Sequence, residues 1–178
     1  MADPIFESIY PIVTLTRRNF IPSEIADALK VNSGDRDFSD AIMTLNGLSV
    51  REGQWVAKNG SGLIAVASST TALSWPVWQD PGAGRSDSQT GGLTVLQGKW
   101  TVKTNVIELT SLAVQDELVV GALGGGHAIL PSAAGGLVRL AAQSSGTQHM
   151  VVAHVEKIEA SGITITNQNA GYFKAGSV

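Results

Sequence analysis

Apolar and polar residues alternate most clearly in GGLTVLQGKWTVKT, residues 91 to 104. Its two halves, LTVL and KWTVKTNVIEL, are rich in the β-branched and aromatic residues that suit a pleated, half-buried surface. Successive strand side chains point to opposite faces, so Trp100, Val102 and Thr104 share one face and Thr101, Lys103 and Asn105 the other. One face is expected to turn inward and the other outward, with Trp100 as the core anchor. Gln97 and Gly98 separate the halves, so the stretch predicts a central β-hairpin.

Similar segments recur. GLSVREGQWVAKNGSGLIAVA holds two candidate strands around KNGSG, where Asn and Gly make a positive φ inexpensive. SWPVWQD is extended, because Pro76 disfavours helix in the residues before it. PGAGRSDSQTGG, residues 81 to 92, has loop composition. DELVVGAL (116 to 123), GGLVRLAA (135 to 142), HMVVAHVEKIEA (149 to 160) and GITITN (162 to 167) are strand-length and flanked by Gly, Ser or Asn. HMVVAHVEKIEA is long enough for a helix, but its valines and the following SGITIT favour strand. Short strands at this spacing predict an all-β fold, a small barrel or sandwich, over residues 46 to 178.

Residues 1 to 45 read differently, as an N-terminal arm with a short helix. In FIPSEIADALK, Ile25 and Leu29 are four apart and follow Pro22 and Ser23, which favour helix starts. The spacing predicts a helix of about two turns, too short to stand alone. VNSGDRDFSDA reads as a polar loop, and IYPIVTLTRRNF as an extended arm or an edge strand.

Charge and composition narrow the partners. Charged residues are only 15% of the 178, against about 25% in ordinary domains. Few long charged side chains suit burial between subunits. Net charge is −3 and Arg17 and Arg18 are the sole adjacent basic pair, so the basic stripe that neutralises nucleic-acid phosphates is missing. There is no cysteine, hence no disulfide or thiolate metal site. No apolar run approaches the length of a membrane span, and MADPIFESIYPIV lacks the features of a secretory signal. The chain is expected to be made and folded in a cytoplasm.

Candidate chemistry is sparse. GALGGGHAIL lacks the Gly-Lys-Ser/Thr of a phosphate loop and reads as a plain glycine loop. His149 and His154 are five apart, which puts them on opposite strand faces, and His127 lies in the glycine loop; no shared metal is expected. No G-x-S-x-G elbow occurs. Asp35 and Asp37 fall in a polar loop, while Asp116 and Glu117 open a strand and point opposite ways. The expectation is a non-enzymatic protein without cofactor or metal. Of the tryptophans, Trp55 and Trp100 suit a core. Trp75 and Trp78 differ in parity, so at most one is expected to face the core, leaving the other for a partner.

The succession REGQWVAKNGSGLIAVA, SWPVWQD, GGLTVLQGKWTVKTNVIEL, DELVVGALGGGHAILPSAAGGLVRLAA, MVVAHVEKIEASGITI, over residues 51 to 166, resembles tailed-bacteriophage capsid decoration, or cement, proteins. It departs from their pattern at Gln115, which stands where a glycine usually precedes the D-x-L-x-V strand. The resemblance implies a structural virion protein, often a homotrimer, on the outer capsid surface, where it clamps neighbouring copies of the major capsid protein. In that reading the contact residues are Ile5, Phe6, Tyr10, Ile12, Arg17, Arg18, Phe20, Trp75 and Trp78. The alternatives are a β-sandwich carbohydrate-binding module using the tryptophans as platforms, or another virion part such as a connector or head-fibre base.

Overall fold

A computed structural model describes residues 4–8, 16–29, 50–78, 92–124 and 134–178. The tyrosine and isoleucine of the expected contact set, Tyr10 and Ile12, lie outside these residues, as do His127, the polar loops 31–41 and 81–91, and most of the glycine loop. The described strands are β1 (Phe6–Ser8), β2 (Thr16–Phe20), β3 (Trp55–Lys58), β4 (Ile64–Val66), β5 (Ser74–Pro76), β6 (Leu93–Gln97) and β7 (Thr101–Thr104). They continue with β8 (Glu117–Gly121), β9 (Gly136–Arg139), β10 (Gln148–Val151), β11 (Ala153–Glu159), β12 (Gly162–Thr166) and β13 (Tyr172–Ala175). The fold is all-β, built from antiparallel sheets. A six-stranded sheet has the order β1-β7-β12-β11-β8-β9, and the smaller sheets are β4-β3-β5, β2-β6 and β10-β13. Among the described residues the large sheet is open, with β1 and β9 at its edges.

Several expectations hold locally. KNGSG closes the β3–β4 hairpin: Asn59 Oδ1 accepts the Ser61 and Leu63 N–H groups at 2.9 and 3.0 Å, and Gly62 takes φ +77°. HMVVAHVEKIEA is strand, interrupted at Val152 between β10 and β11, with a register shift between Val155 and Lys157.

The predicted helix is absent. Pro22–Glu24 and Asp27–Leu29 form two 3-10 turns, separated where Ile25 bridges Ile64 and the Ala26 N–H donates to the Ile64 carbonyl at 2.8 Å. So short a helix cannot outcompete a tertiary backbone bond. Its apolar pair is still buried, Ile25 and Leu29 being 1% and 4% exposed.

The expected central hairpin is also absent: β6 and β7 do not pair with each other. Strand β6 runs beside β2, Phe20 opposite Leu93, whereas β7 lies between β1 and β12. Both edges of β7 are therefore occupied. Gly98, at φ +77°, turns the chain out of one sheet into the other. Asn167 secures the crossing: its Oδ1 accepts the Trp100 N–H at 2.6 Å and its Nδ2 donates to the Gly98 carbonyl at 2.7 Å. Asn167→Ala is expected to cost about 1–3 kcal/mol, because these groups lose their partner. Urea unfolding of the variant measures it.

Three apolar clusters fill the fold. The main one joins Trp55, Leu96, Trp100, Val102, Leu118, Leu137, Val155 and Ile165 with Phe6. The second gathers Phe20, Ile25, Leu29, Val56, Val77, Leu93 and Val95. The third holds Val106, Val119, Val138 and Val151. Strand alternation distributes side chains between them: Trp55 and Ala57 of β3 enter the main cluster and Val56 the second, while Leu118 and Val120 of β8 enter the main cluster and Val119 the third. The expected inward-outward split of β7 is incomplete. Trp100 and Val102 are buried as expected, but Thr101, on the other face, is 3% exposed and donates its hydroxyl to Thr166 Oγ1 at 3.1 Å.

The described N-terminal residues belong to this same fold. Phe6 enters the main core through β1, an edge strand on β7, and Phe20 enters the second through β2. Of arm and edge strand, the described segments take the edge-strand form.

Candidate contact surface

The surface around β2 and the WPVW segment is built from alternation. Along β2, Arg17 and Asn19 are exposed, Arg18 is half-buried and Phe20 is buried. WPVW threads between two sheets: Trp75 pairs with Val56 of β3, Val77 bridges Val95 of β6, and the Trp78 N–H donates to the Thr94 carbonyl at 3.0 Å. Trp75 and Trp78 therefore do not divide into one core and one surface residue. Each is half-buried against a different cluster, because this segment has apolar contents on both sides.

Two stacks run from surface to core. The Arg17 guanidinium lies 5.1 Å from the Trp78 ring centroid, and Trp78 meets Phe6 edge-on at 6.0 Å. The Arg18 guanidinium lies 4.5 Å over Phe20, which meets Trp75 at 6.0 Å. Arg18 also sits 3.6 Å from Glu24, whose other carboxylate oxygen accepts the Ile21 N–H at 3.0 Å. A cation held over an aromatic ring is attracted by the negative ring face while keeping its charge. Ile5 is half-buried beside this surface, its N–H donating to Asn105 Oδ1 at 2.8 Å.

The expected contact set is thus sorted. Arg17, Arg18, Trp75, Trp78 and Ile5 keep exposed area, whereas Phe6 and Phe20 are 5% and 0% exposed and support the surface from beneath. They pack inward because β1 and β2 are paired strands, each with an apolar side to bury.

The remaining polar candidates are held in structural bonds. His149 is buried, with Nδ1 2.6 Å from the Thr70 hydroxyl and Nε2 3.0 Å from the Ser144 carbonyl. A carbonyl only accepts, so Nε2 carries a hydrogen there. His154 Nε2 contacts the Tyr172 hydroxyl at 3.0 Å, and Glu117 pairs with Lys174 at 2.6 Å. Burial, then the Glu117 carboxylate, holds the Tyr172 phenol above its ordinary value. The hydrogen bond from Lys174 to Glu117 and their attraction raise the ammonium. Asp116 lies 3.9 Å from Arg139. No group of three or more potential metal ligands gathers among the described residues. No helix among them is long and apolar enough to cross a membrane.

Two features escaped the sequence reading. One is a cleft of about 230 Å³ lined by Leu73, Trp75, Pro76, Trp100, Met150 and others. The other is the β7–β8 connection, which exposes Leu109 and Val114. The apolar letters in ELTSLAVQDEL were the available signal, but apolar residues in a loop are usually assigned to the core. Gln115, which the resemblance marked as a departure, takes φ +76°. The position has the left-handed conformation a glycine would prefer. Gln115→Gly is expected to stabilise the fold by about 0.5 kcal/mol, relief of the left-handed strain being partly offset by added chain entropy. Thermal melting should show a small upward shift.

Compared with known proteins, the chain matches no family model, no curated sequence and no solved structure.

Proposed function

We propose that this chain is a structural virion protein that binds the outer surface of an icosahedral phage capsid and clamps neighbouring major capsid subunits, acting as a self-associated, trimer-forming small β-barrel or sandwich. The observation that carries the reading is that Gln115, which stands where the decoration-protein pattern has a glycine before its D-x-L-x-V strand, takes φ +76°, a conformation that glycine favours. The segments carrying the resemblance also fall on successive strands, β3 through β12. A clamp gains strength from several moderate contacts made together. The Arg17–Trp78 stack suits one of them, since Arg and Trp are favoured where binding energy concentrates.

Immunogold electron microscopy of particles from the source lysate tests the location. Gold spread evenly over heads is expected. Gold confined to a vertex or tail would move the chain to the connector or fibre class, and unlabelled particles would overturn a virion role. Deleting residues 1–20 is a poor test of contact, because it strips Phe6 and Phe20 from the core. The point variant Arg17→Glu is expected to weaken co-sedimentation with capsids by roughly tenfold with melting unchanged. Unaltered binding would remove this stack from the contact surface.

A further inference from the structure

The cleft of about 230 Å³ stands where the chain crosses between sheets, with β5, the Gly98 turn, β10, Asn167 and Gly171 in its walls. Those walls are braced. Asn167 holds the Gly98 crossing through both ends of its amide, and the Gly171 N–H donates to the Val151 carbonyl at 2.8 Å. The indoles of Trp55, Trp75 and Trp100 all line the cleft, together with Met150. Aromatic rings and a thioether sulfur suit the edges and faces of another aromatic ring. The volume lies below the roughly 300–1,000 Å³ of sites for drug-sized ligands, which sets the scale at one ring.

The polar lining divides into spent and unspent groups. Asn167 is spent on the crossing, and the Ser74 hydroxyl donates to the Ala72 carbonyl at 3.0 Å. Lys99, which is exposed, donates to the Asn167 carbonyl at 3.3 Å and, as an ammonium, has further N–H groups to give. Gln97 adds a half-buried amide. Trp55 is 2% exposed, and its buried Nε1 has no acceptor among the described residues. An indole N–H only donates, and buried donors are almost always paired. The described lining residues include no Asp or Glu, so their charge is that of Lys99. What the cleft lacks is an acceptor, and its charge favours a negative one.

We propose that this cleft is a binding site for a small aromatic carboxylate. The ring packs among the indoles and Met150, and the carboxylate oxygens take up donors from Lys99 and Trp55. A carboxylate accepts without donating, and its hydrogen bonds to a cation are the stronger kind. Because the walls are already fixed by protein bonds, little ordering is left for the ligand to bring about. Trp75 also meets Phe20 beneath the Arg18 stack, so the cleft adjoins the candidate contact surface. Ligand binding is nonetheless independent of the capsid reading, and failure of either leaves the other standing.

Isothermal titration calorimetry of the full chain with phenylacetate tests it. The expected dissociation constant is about 1 mM or tighter. Phenylacetamide, which has the ring without the charge, is expected to bind at least about tenfold more weakly. Acetate, which has the charge without the ring, should do the same. Lys99→Met at its exposed position is expected to weaken phenylacetate about tenfold with melting unchanged. Trp55→Phe keeps an aromatic ring, removes the N–H and should weaken binding similarly. Since that variant alters the core, nuclear magnetic resonance of the wild type supplies a second reading: phenylacetate should shift the Trp55 indole N–H signal. No saturable heat up to about 10 mM phenylacetate would overturn the site. Equal binding of phenylacetamide would overturn the carboxylate, and equal binding of acetate would leave an adventitious ion only. Binding that neither moves the Trp55 signal nor responds to Lys99→Met would place the ligand outside this cleft and overturn the assignment.

Discussion

Trp100→Ala is expected to destabilise the protein by about 3–5 kcal/mol, the range for removing a large aromatic side chain from a packed core. Trp100 is 2% exposed, and its ring centroid lies 5.9 Å from that of Trp55. It follows the Gly98 crossing, so its indole packs where the chain leaves the β2-β6 sheet and enters the six-stranded one. Deleting it removes apolar burial and widens the cleft that Trp100 lines together with Trp55, Leu96 and Val152. Denaturant unfolding by circular dichroism gives the cost. Trp75→Ala, at a half-buried position, should cost less. A change near zero for Trp100→Ala would mean that the side chain is a surface group and that the main core lies elsewhere.

Gly135→Ala is the second large effect, expected at about 2–4 kcal/mol from left-handed strain and overpacking together. Gly135 has φ +77°, and a Cβ there would stand 2.8 Å from the Trp55 carbonyl oxygen and 2.9 Å from Val66 Cγ1. The approach is close because the Trp55 N–H donates to the Gly135 carbonyl at 2.7 Å, while Gln54 Nε2 donates to the Ala134 carbonyl at 3.0 Å. These bonds join the start of β3 to the turn before β9. A methyl group must therefore either strain them or displace Trp55. Gly62→Ala is the matched control: Gly62 has the same φ of +77° but nothing within 4 Å of its Cβ position. It should lose only the backbone part, about 1 kcal/mol. Equal losses at the two sites would show that close packing at Gly135 contributes nothing.

Much of the candidate surface was legible from residue types alone. The Arg17, Arg18 pair and the WPVW tryptophans stood out, and all four keep exposed area. Phe6 and Phe20 could not be separated from them by sequence, because an apolar residue in a proline-punctuated stretch looks the same whether it awaits a partner or already has one. The exposure of Leu109 and Val114 was overlooked for the opposite reason: bonds that fix their loop come from Arg139, 28 residues beyond Ser111 in the chain.

The sequence by itself determined the strand-rich character, the position of most strands, the KNGSG hairpin, and Trp55 and Trp100 as core residues. These follow from local side-chain chemistry, from alternation and from glycine and asparagine at turns, which act within a few residues. Only the tertiary structure decided which strands pair. It separated β6 from β7, broke the predicted helix into two 3-10 turns, and buried both faces of β3 and β8. Each of those outcomes turns on a backbone edge or carbonyl supplied from far along the chain: β1 and β12 beside β7, Asn167 at the Gly98 turn, and Ile64 at Ala26. Local pattern establishes that a segment has an edge to offer; the competition among all edges in the folded chain establishes which partner takes it.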